Sequence, residues 1–392
     1  MKILLTQSTI YVPSIGGANK GNRLLLEALA ERGHSCLAVT PASGLLGFSS
    51  RLDFLRALTD RKIRPTFSGP DVEVFHYNGV EVHAVWEGSL VRHFLHQVHE
   101  FDPTWILVSA EDPRQMLLTA ALKARPSRVI YLALTTLALP FGPSSALASV
   151  TKTKLLGEVA GIAAISDYVK EYILRWSGLE STPLPISPLG SGPFQKTGHF
   201  DQGFITMINP CAIKGLPIFQ ALAQSLPQVE FAAVPTWGTT HAERSALGKL
   251  PNVSLLEPTD DIDEILARTR ILLVPSLCAE AYGRIAVEGM LRGIPVLASN
   301  VGGLPEAKLG VDYVLPVNPI EQYENGLDDR ALPIPVVPEQ DIGPWSKALQ
   351  RLLTDKAHYD QLSAASREAA LSFVSSRTIH QFEIYLETLS PS

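Results

Sequence analysis

Residues 271–306 read ILLVPSLCAEAYGRIAVEGMLRGIPVLASNVGGLPE. Short, fully apolar runs end before Pro275 and again before Ser299, as in strands that are buried on both faces of a parallel sheet. Between them lie a polar loop and a helical pattern from Ile285 to Leu291. A strand, loop, helix and strand in this order predict an α/β fold with a parallel sheet.

The loop and the start of this helix carry the side chains that indicate chemistry. The unpaired N–H groups and the positive dipole end of a helix beginning near Arg284 suit a diphosphate, and Gly283 lets the backbone approach it closely. Glu288 follows Arg284 by one turn on the same face and can accept hydrogen bonds from ribose hydroxyls. Glu280 lies in the loop, where a carboxylate could hold sugar hydroxyls. Two glutamates at this spacing also occur on ordinary helix surfaces, so the context decides.

The alternation of strands and helices extends to both sides of this stretch. One series runs from the N-terminus to about residue 176, and a second runs from Phe204. Residues 177–198 between them are rich in Pro and Gly, which is typical of a linker. We therefore expect two Rossmann-like, doubly wound domains, residues 1–190 and 191–375, that face each other across a cleft. We expect residues 376–392 to form a C-terminal helix that packs back on the first domain, and the Pro-rich stretch 332–344 to be a loop.

The stretch from Pro275 to Gly303 resembles the E-x7-E signature of retaining GT-B glycosyltransferases (glycosyltransferase family 4-like, group 1), with Glu280 and Glu288 as its glutamates. The resemblance covers the second domain closely and the first in outline. It implies the GT-B fold, with Glu280 as a catalytic residue on the transferred sugar and Glu288 on the ribose. The backbone amides that it implies for the diphosphate belong to Tyr282, Gly283, Arg284 and Ile285.

A second motif follows the predicted strand 204–208. Lys214 stands just before a helix, where its ammonium can act as a point charge for phosphate oxygens. The family has an arginine soon after this strand and a lysine about five residues later. Lys214 fits the lysine, which makes it a second catalytic candidate, and Asn209 stands in the arginine's place within the donor site. The expected cation is either missing or comes from elsewhere in the chain, for which Arg284 is a candidate. The alternative for Lys214 is a solvated lysine at a helix start.

The base of the nucleotide is expected in two loops that follow C-domain strands, residues 234–237 and residues 256–258 with Glu257. Uridine is the expectation from family frequency, and a GDP-sugar is the second possibility.

Gly16-Gly17 follows the first strand and precedes a helix, so its amides can approach a substrate. The family places such a pair near the donor phosphates and the acceptor, which implies Gly17 on the donor and Gly16 with Asn19 on the acceptor side. A flexible turn is the alternative. Because the pattern is not G-x-G-x-x-G, a nicotinamide site is poorly supported.

The first-domain rim lacks the histidine that the family often has after two of its strands. Glu111 and Asp112 follow one of these strands, and Thr135 and Thr136 follow the other. All four are candidates for binding acceptor or sugar hydroxyls, with Glu111 and Thr135 as our choice. Turn or capping roles are the alternative for all four residues.

The composition is that of a globular protein, with 46% hydrophobic and 18% charged residues and a formal net charge of -6. That balance offers no general attraction to nucleic acid. Cys36, Cys211 and Cys278 lack metal-type spacing and suit a reducing, cytoplasmic setting. The N-terminal apolar run is too short for a signal peptide, and no apolar run is long enough to span a membrane.

Two polar clusters can be interpreted either as structural or as functional. His93, His96 and His99 recur at helical spacing, but a metal site would need further ligands, so a partly buried helix face is favoured. A basic, leucine-containing stretch, residues 51–64, could contact an anionic membrane or an acidic acceptor, or could simply be a solvated helix over the core.

Together these features predict a glycosyltransferase that moves a hexose-type sugar from a nucleotide diphosphate sugar to a hydroxyl of an unidentified glycan, lipid or secondary metabolite. No metal or other cofactor is expected. A GT-B epimerase that hydrolyses its donor and a non-catalytic sugar-nucleotide-binding protein remain alternatives, which product analysis and donor turnover would separate.

Overall fold

The structure is a computed structural model that describes every residue except 15, 45–46, 87, 146, 191, 329–332 and 390–392. The chain divides into two compact units, which we call unit 1 (Met1–Gly190 with Arg377–Ser392) and unit 2 (Ser191–Ser376). Each unit is built around a largely parallel sheet with helices between its strands, so the predicted α/β class is confirmed.

Unit 1 contains one sheet, with helices in the connections between its strands. Its strands are β1 (Lys2–Thr6), β2 (Ser35–Pro41), β3 (Pro65–Ser68), β4 (Val72–Tyr77), β5 (Val80–Val85), β6 (Trp105–Ser109), β7 (Val129–Ala133), β8 (Gly161–Ala164) and β9 (Thr182–Pro183). Its helices up to β9 are α1 (Gly17–Glu31), α2 (Arg51–Asp60), α3 (Leu90–Phe101), α4 (Met116–Ala124), α5 (Val150–Leu156) and α6 (Asp167–Ser177).

The strand order of this sheet is β3-β4-β5-β2-β1-β6-β7-β8-β9. From β5 to β9 all neighbours pair in parallel, whereas β3, β4 and β5 are antiparallel. Asn78 and Gly79 join β4 to β5 with positive φ angles of 47° and 81°, as an Asn-Gly hairpin turn requires. The direction in which strands are added reverses between β1 and β6, so loops leaving these two strands diverge and open a crevice.

Unit 2 is a second parallel sheet with its own core. Its strands are β10 (Phe204–Ile208), β11 (Phe231–Val234), β12 (Val253–Leu255), β13 (Thr269–Val274), β14 (Val296–Ser299), β15 (Val314–Leu315), β16 (Tyr323–Leu327) and β17 (Pro333–Pro335). Its helices are α7 (Leu216–Ser225), α8 (His241–Leu247), α9 (Ile262–Leu266), α10 (Arg284–Leu291), α11 (Leu304–Ala307), α12 (Gly343–Thr354) and α13 (Lys356–Ser376).

The order β12-β11-β10-β13-β14-β15 is that of a doubly wound sheet, and all its neighbours pair in parallel. The apolar runs read from the sequence form the central strands, and Ile205, Ile271 and Leu297 are fully buried. The switch in direction lies between β10 and β13. In such sheets ligands bind at the carboxyl ends of the strands at this point.

The end of the chain returns to unit 1 as α14 (Ile379–Thr388), whose Phe382 and Leu386 join the core of that unit. Glu383 on this helix accepts hydrogen bonds from Arg32 at 2.7 Å and is 2.8 Å from His34 Nε2. Hydrogen bonding to Arg32 lowers the pKa of Glu383 to about 2. An apolar contact and a charged contact therefore hold the helix.

The prediction of a loop for 332–344 is wrong at both ends. Residues 333–335 form β17, antiparallel to β16, and α12 begins at Gly343. Proline interrupts a central strand because it lacks an N–H group, but it is compatible with an edge strand. Each strand of this two-stranded sheet is an edge, which explains why Pro333 and Pro335 are accommodated.

Candidate active site

The two strongest sequence motifs come together at the switch point of unit 2. Lys214 ends a 3-10 turn, Ala212–Lys214, in the loop after β10, and Glu280 lies in the loop after β13. The amides of Leu277 and Cys278 donate to the Ile213 carbonyl at 3.0 and 3.2 Å. These bonds fasten the two loops side by side at the carboxyl edge of the sheet.

Lys214 and Glu280 form a direct ion pair, and Ser276 donates its hydroxyl to the same carboxylate oxygen at 2.5 Å. Burial alone would lower the pKa of the lysine, but the adjacent Glu280 raises it above its ordinary value. Burial alone would raise the pKa of Glu280, but Lys214 and Ser276 hold it below its ordinary value. Both groups are therefore charged near neutral pH, and each fixes the position of the other.

The backbone around this pair is shaped by glycines. Gly283 caps α10 in the left-handed conformation with φ of 96°, which an L side chain adopts only at a cost. Gly302 also has a positive φ, and a Cβ there would collide with the Glu280 carbonyl oxygen. The Gly303 amide donates to that same carbonyl at 2.7 Å. The turn at 302–303 thus supports the loop that carries Glu280. That loop in turn leads into the first turn of α10.

Arg284 and Glu288 occupy one face of α10, as predicted, and pair with each other. Arg284 Nε donates to Glu288 Oε1 at 2.9 Å, and both side chains are largely buried. The Ala286 amide donates to the Gly283 carbonyl at 2.9 Å, as expected in the first turn of a helix. The positive dipole end of a helix at this place suits an anion. The arginine that we considered as the missing phosphate cation is thus already engaged with a carboxylate.

The remaining amides implied for the diphosphate belong to Tyr282 and Ile285. The Tyr282 ring is buried and stacks on Phe373 with centroids 6.1 Å apart, so its side chain packs inside unit 2. A contribution from Tyr282 would therefore come from its backbone. Ile285 is partly buried in the first turn of α10.

Asn209 and Glu257 lie in the loops after β10 and β12. The Asn209 side chain accepts a hydrogen bond from the Gly238 amide at 2.9 Å and is buried. Asn209, which stands in place of the family's arginine, therefore joins the loops after β10 and β11 and supplies no positive charge. Glu257 is exposed and pairs with Arg244 at 3.1 Å.

The unit 1 candidates follow three neighbouring strands: Gly16, Gly17 and Asn19 come after β1, Glu111 after β6 and Thr135 after β7. Gly16 caps α1, and a Cβ on Gly17 would meet nothing within 4 Å. Asn19 is buried and donates to the Ile10 carbonyl, so its amide holds the loop after β1. Thr135 accepts from the Leu137 amide at 3.2 Å, which supports a turn.

Glu111 is the titratable group of this region. Its carboxylate accepts from the Thr9 hydroxyl at 3.2 Å, and Ser8 donates to its carbonyl at 2.6 Å. Burial raises the pKa of Glu111 to about 7, against the smaller lowering by Thr9. A carboxyl that titrates near neutrality at a strand end is a feature of functional sites.

Two residues of the unit 2 site were missed by sequence reasoning. Ser276 fixes Glu280, and nothing in its local pattern indicates this. Glu243 forms a capping box with Thr240 at the start of α8 and also accepts from the Ala212 amide at 2.9 Å. The spacing Thr240-x-x-Glu243 is the capping-box signature, so α8 could have been found from it.

The polar clusters outside these sites have structural roles. The three spaced histidines lie on α3, where His93 approaches His83 at 2.8 Å, and burial lowers the pKa of His93 to about 4. In the part of the chain that is described, no group of His, Cys, Asp or Glu suits a metal ion. Arg51 of the basic stretch pairs with buried Glu73. Across the described ranges, no helix is both long and apolar enough to span a bilayer.

Parts of this chain are similar to known proteins. Residues 212–355 match the family model for glycosyl transferases group 1. The alpha-1,3/1,6-mannosyltransferase alg-2 of Neurospora crassa is 34% identical over 113 residues, which are 28% of this chain and 20% of that protein. The D-inositol 3-phosphate glycosyltransferase of Rhodococcus opacus is 29% identical over 131 residues, 33% of this chain and 25% of that protein. The chain thus matches a quarter or less of the length of these relatives.

Solved structures match over the whole chain. Sucrose-phosphate synthase from Thermosynechococcus elongatus superimposes with a TM-score of 0.73 at 17% identity, covering 100% of both chains. Anabaena HepE, solved with UDP and glucose, superimposes with a TM-score of 0.64 at 19% identity, covering 100% of this chain and 99% of that one. At these identities the likeness concerns the fold, and it confirms the predicted GT-B class. The chain therefore has the GT-B fold and carries, in residues 212–355, a domain of the glycosyl transferases group 1 family.

Proposed function

We propose that the chain is a retaining glycosyltransferase that moves a hexose-type sugar from a nucleoside diphosphate sugar to a hydroxyl of an acceptor. The observation that carries this proposal is the Lys214–Glu280–Ser276 cluster at the switch point of unit 2, beside the first turn of α10. It joins a fixed cation, a fixed carboxylate and helix-start amides at the place where doubly wound sheets bind nucleotides.

Each part of the cluster has a role in the proposed reaction. Departure of the nucleoside diphosphate develops negative charge on its β-phosphate. Lys214 and the first amides of α10 would stabilise that charge, and preorganised donors of this kind are a large source of catalysis. Glu280 would hold hydroxyls of the transferred sugar, and Glu288 those of the ribose. Because Lys214 supplies positive charge at the phosphate, the proposal requires no metal.

The retaining course is supported by the electrostatics of Glu280. Its pKa is held below the ordinary value by Lys214 and Ser276, and such a carboxylate is a weak base. A weak base at this position suits a mechanism in which the leaving phosphate itself takes the acceptor proton on the same face. The anomeric configuration of the product, read by NMR, tests this course directly.

The donor proposal rests on the structural relatives. HepE was solved with UDP and glucose and also with UDP-glucose. We propose a UDP-sugar as the donor and a GDP-sugar as the second choice. The reaction would take place in the cytoplasm, which is consistent with the three unpaired cysteines. A peripheral membrane contact through the basic stretch has less support, because Arg51 is already neutralised by Glu73.

The decisive experiment combines UDP binding by calorimetry with transfer kinetics for paired variants. Glu288→Gln should weaken UDP binding about tenfold, the value of one good hydrogen bond to a charged group. Glu280→Gln should lower kcat about 100-fold or more while UDP binding stays within a factor of three. Glu264→Gln, an exposed glutamate of α9 in the same unit, is the matched control.

Three outcomes would contradict the proposal. Wild-type kinetics in Glu280→Gln would remove the catalytic assignment. Sugar release or epimerisation that does not depend on any acceptor would indicate an epimerase that hydrolyses its donor. Binding of UDP without turnover of any sugar nucleotide would indicate a non-catalytic binding protein.

A further inference from the structure

A short antiparallel sheet interrupts the alternation of strands and helices in unit 2. Each connection of the main sheet from β10 to β15 contains a helix, whereas β16 and β17 lie between β15 and α12. We call this pair of strands the arm. It follows the carboxyl end of β15, which is the edge of a parallel sheet at which ligands bind. Its place in the chain therefore makes the arm a candidate for a role in the unit 2 site.

Hydrogen bonds hold the base of the arm together. Asn318 precedes β16 and Gln340 follows β17. The Asn318 amide donates to Gln340 Oε1 at 3.0 Å, and Gln340 Nε2 donates to the Asn318 carbonyl at 2.8 Å. Next to this pair, the Val336 amide donates to the Gln322 carbonyl at 2.9 Å. The two strands of the arm are thus fixed side by side where they leave the main sheet.

The arm is also fastened to the loop that carries Glu280. The Ile320 amide donates to the Leu277 carbonyl at 2.9 Å, and Leu277 lies three residues before Glu280 in the loop after β13. The Val317 amide donates to Asn300 Oδ1 at 3.2 Å, just before the glycine turn that supports the same loop. These contacts place the start of the arm beside the loop after β13.

Tyr323, the first residue of β16, lies near the charged pair of the unit 2 site. Burial, and secondly the nearby Cys278, raise the pKa of the Tyr323 phenol. Cys278 in turn interacts electrostatically with both Lys214 and Glu280. The Tyr323 side chain is nevertheless 43% exposed. It therefore offers open aromatic surface close to the carboxylate that we propose for the sugar.

The order of the main sheet separates the arm from the loops in which the base is expected. In the order β12-β11-β10-β13-β14-β15, the arm follows the edge strand on the Glu280 side, and the base loops follow β11 and β12. Neighbouring strands are about 4.8 Å apart, so four spacings put β15 roughly 19 Å from β11. A residue of the arm can therefore contact the sugar part of a donor without contacting its base.

We propose that the Tyr323 ring packs against the transferred sugar of the donor, beside Glu280. This inference rests on the proposed function, in which Glu280 holds hydroxyls of that sugar, and it names a further contact residue of the same site. A hexose has a face of C–H groups as well as hydroxyls. An aromatic ring next to a carboxylate complements both kinds of surface, because the ring covers the C–H face and the carboxylate accepts from the hydroxyls.

The test is calorimetric titration of the full chain with two pairs of ligands, UDP with UDP-glucose and GDP with GDP-mannose. Tyr323→Ala should weaken binding of the sugar nucleotide about fivefold, as expected for loss of one apolar contact surface. Binding of the free nucleotide should stay within a factor of two. Tyr323→Phe keeps the ring and should bind as the wild type does. Glu324→Ala is the matched control, because Glu324 is exposed on β16 and successive side chains of a strand point to opposite faces.

Several results would overturn the inference. These are equal weakening of sugar nucleotide and free nucleotide by Tyr323→Ala, a loss in Tyr323→Phe as large as that in Tyr323→Ala, or an equal loss in Glu324→Ala. A wild type that binds the free nucleotides but neither sugar nucleotide would also overturn it. Sugar-nucleotide binding that Tyr323→Ala leaves unchanged defeats this inference alone. A wild type that binds none of the four ligands defeats the proposed donor site as well.

Discussion

Replacement of Lys308 by methionine should stabilise unit 2. Lys308 follows α11 and is fully buried, and its ammonium donates to the Val296 carbonyl at 2.6 Å. Burial lowers the pKa of Lys308 from 10.5 to about 7, and Asp312 offsets only part of this effect. Methionine has a similar volume and no charge, so Lys308→Met removes the cost of burying an amine with little change in packing.

The magnitude follows from the two pKa values. In the unfolded chain the lysine is protonated up to about pH 10.5, whereas in the folded chain it loses its proton near pH 7. Because the unfolded state binds more protons between these values, wild-type stability rises with pH across this window. Each pH unit corresponds to about 1.4 kcal/mol, which sets an upper limit of roughly 5 kcal/mol below pH 7. Loss of the hydrogen bond to Val296 reduces the gain in stability by about 1 kcal/mol. Incomplete repacking of the neighbouring side chains around the methionine reduces it further. We expect Lys308→Met to gain about 2–4 kcal/mol at pH 7.

Pulse proteolysis in urea, with unit 2 fragments identified by mass spectrometry, measures this gain separately from the unfolding of unit 1. Between pH 7 and pH 9 the gain should shrink by about 2–3 kcal/mol, because the wild-type penalty declines there. Lys249→Met, at an exposed lysine of the same unit, should show no such pH dependence. A destabilised Lys308→Met protein at pH 7, or a gain that is the same at pH 7 and pH 9, would refute the reasoning.

Three further predictions concern loop and helix anchors. Glu383→Gln should weaken the packing of α14 by about 1–2 kcal/mol at pH 7, a value discounted because its partner Arg32 is exposed. The stabilisation by the ionised Glu383 is present above pH 4.5 and is lost as the pH falls towards 2, so the limited-proteolysis rates of wild type and variant should become equal in acid. Asn209→Ala should weaken UDP binding by roughly three- to tenfold, because it removes the hydrogen bond to the Gly238 amide that joins the loops after β10 and β11. A UDP dissociation constant equal to that of the wild type, measured by calorimetry, would show that this hydrogen bond does not affect UDP binding. Glu243→Ala should cost about 1 kcal/mol through the lost capping box, and an unchanged thermal midpoint would contradict that role.

The sequence alone determined the features that depend on local periodicity. Apolar runs and helical spacing located both parallel sheets, and the loops after β10 and β13 were identified as the places for Lys214 and Glu280. Residues that follow parallel strands reach the same sheet edge, so position along the chain sufficed to predict a common site. The face shared by Arg284 and Glu288 followed from helical geometry in the same way.

Only the tertiary structure decided which partner each polar group meets. Nothing in the local pattern shows that Glu280 pairs with a lysine 66 residues away or that Asn209 is used by the Gly238 amide. The burial of Lys308 and the pairing of the proline-containing β17 with β16 were likewise invisible. Periodicity reports the conformation of a segment, whereas a side chain's partner and its pKa depend on distant segments that return to the same place. The charges and hydrogen bonds of both switch points are for this reason properties of the folded chain.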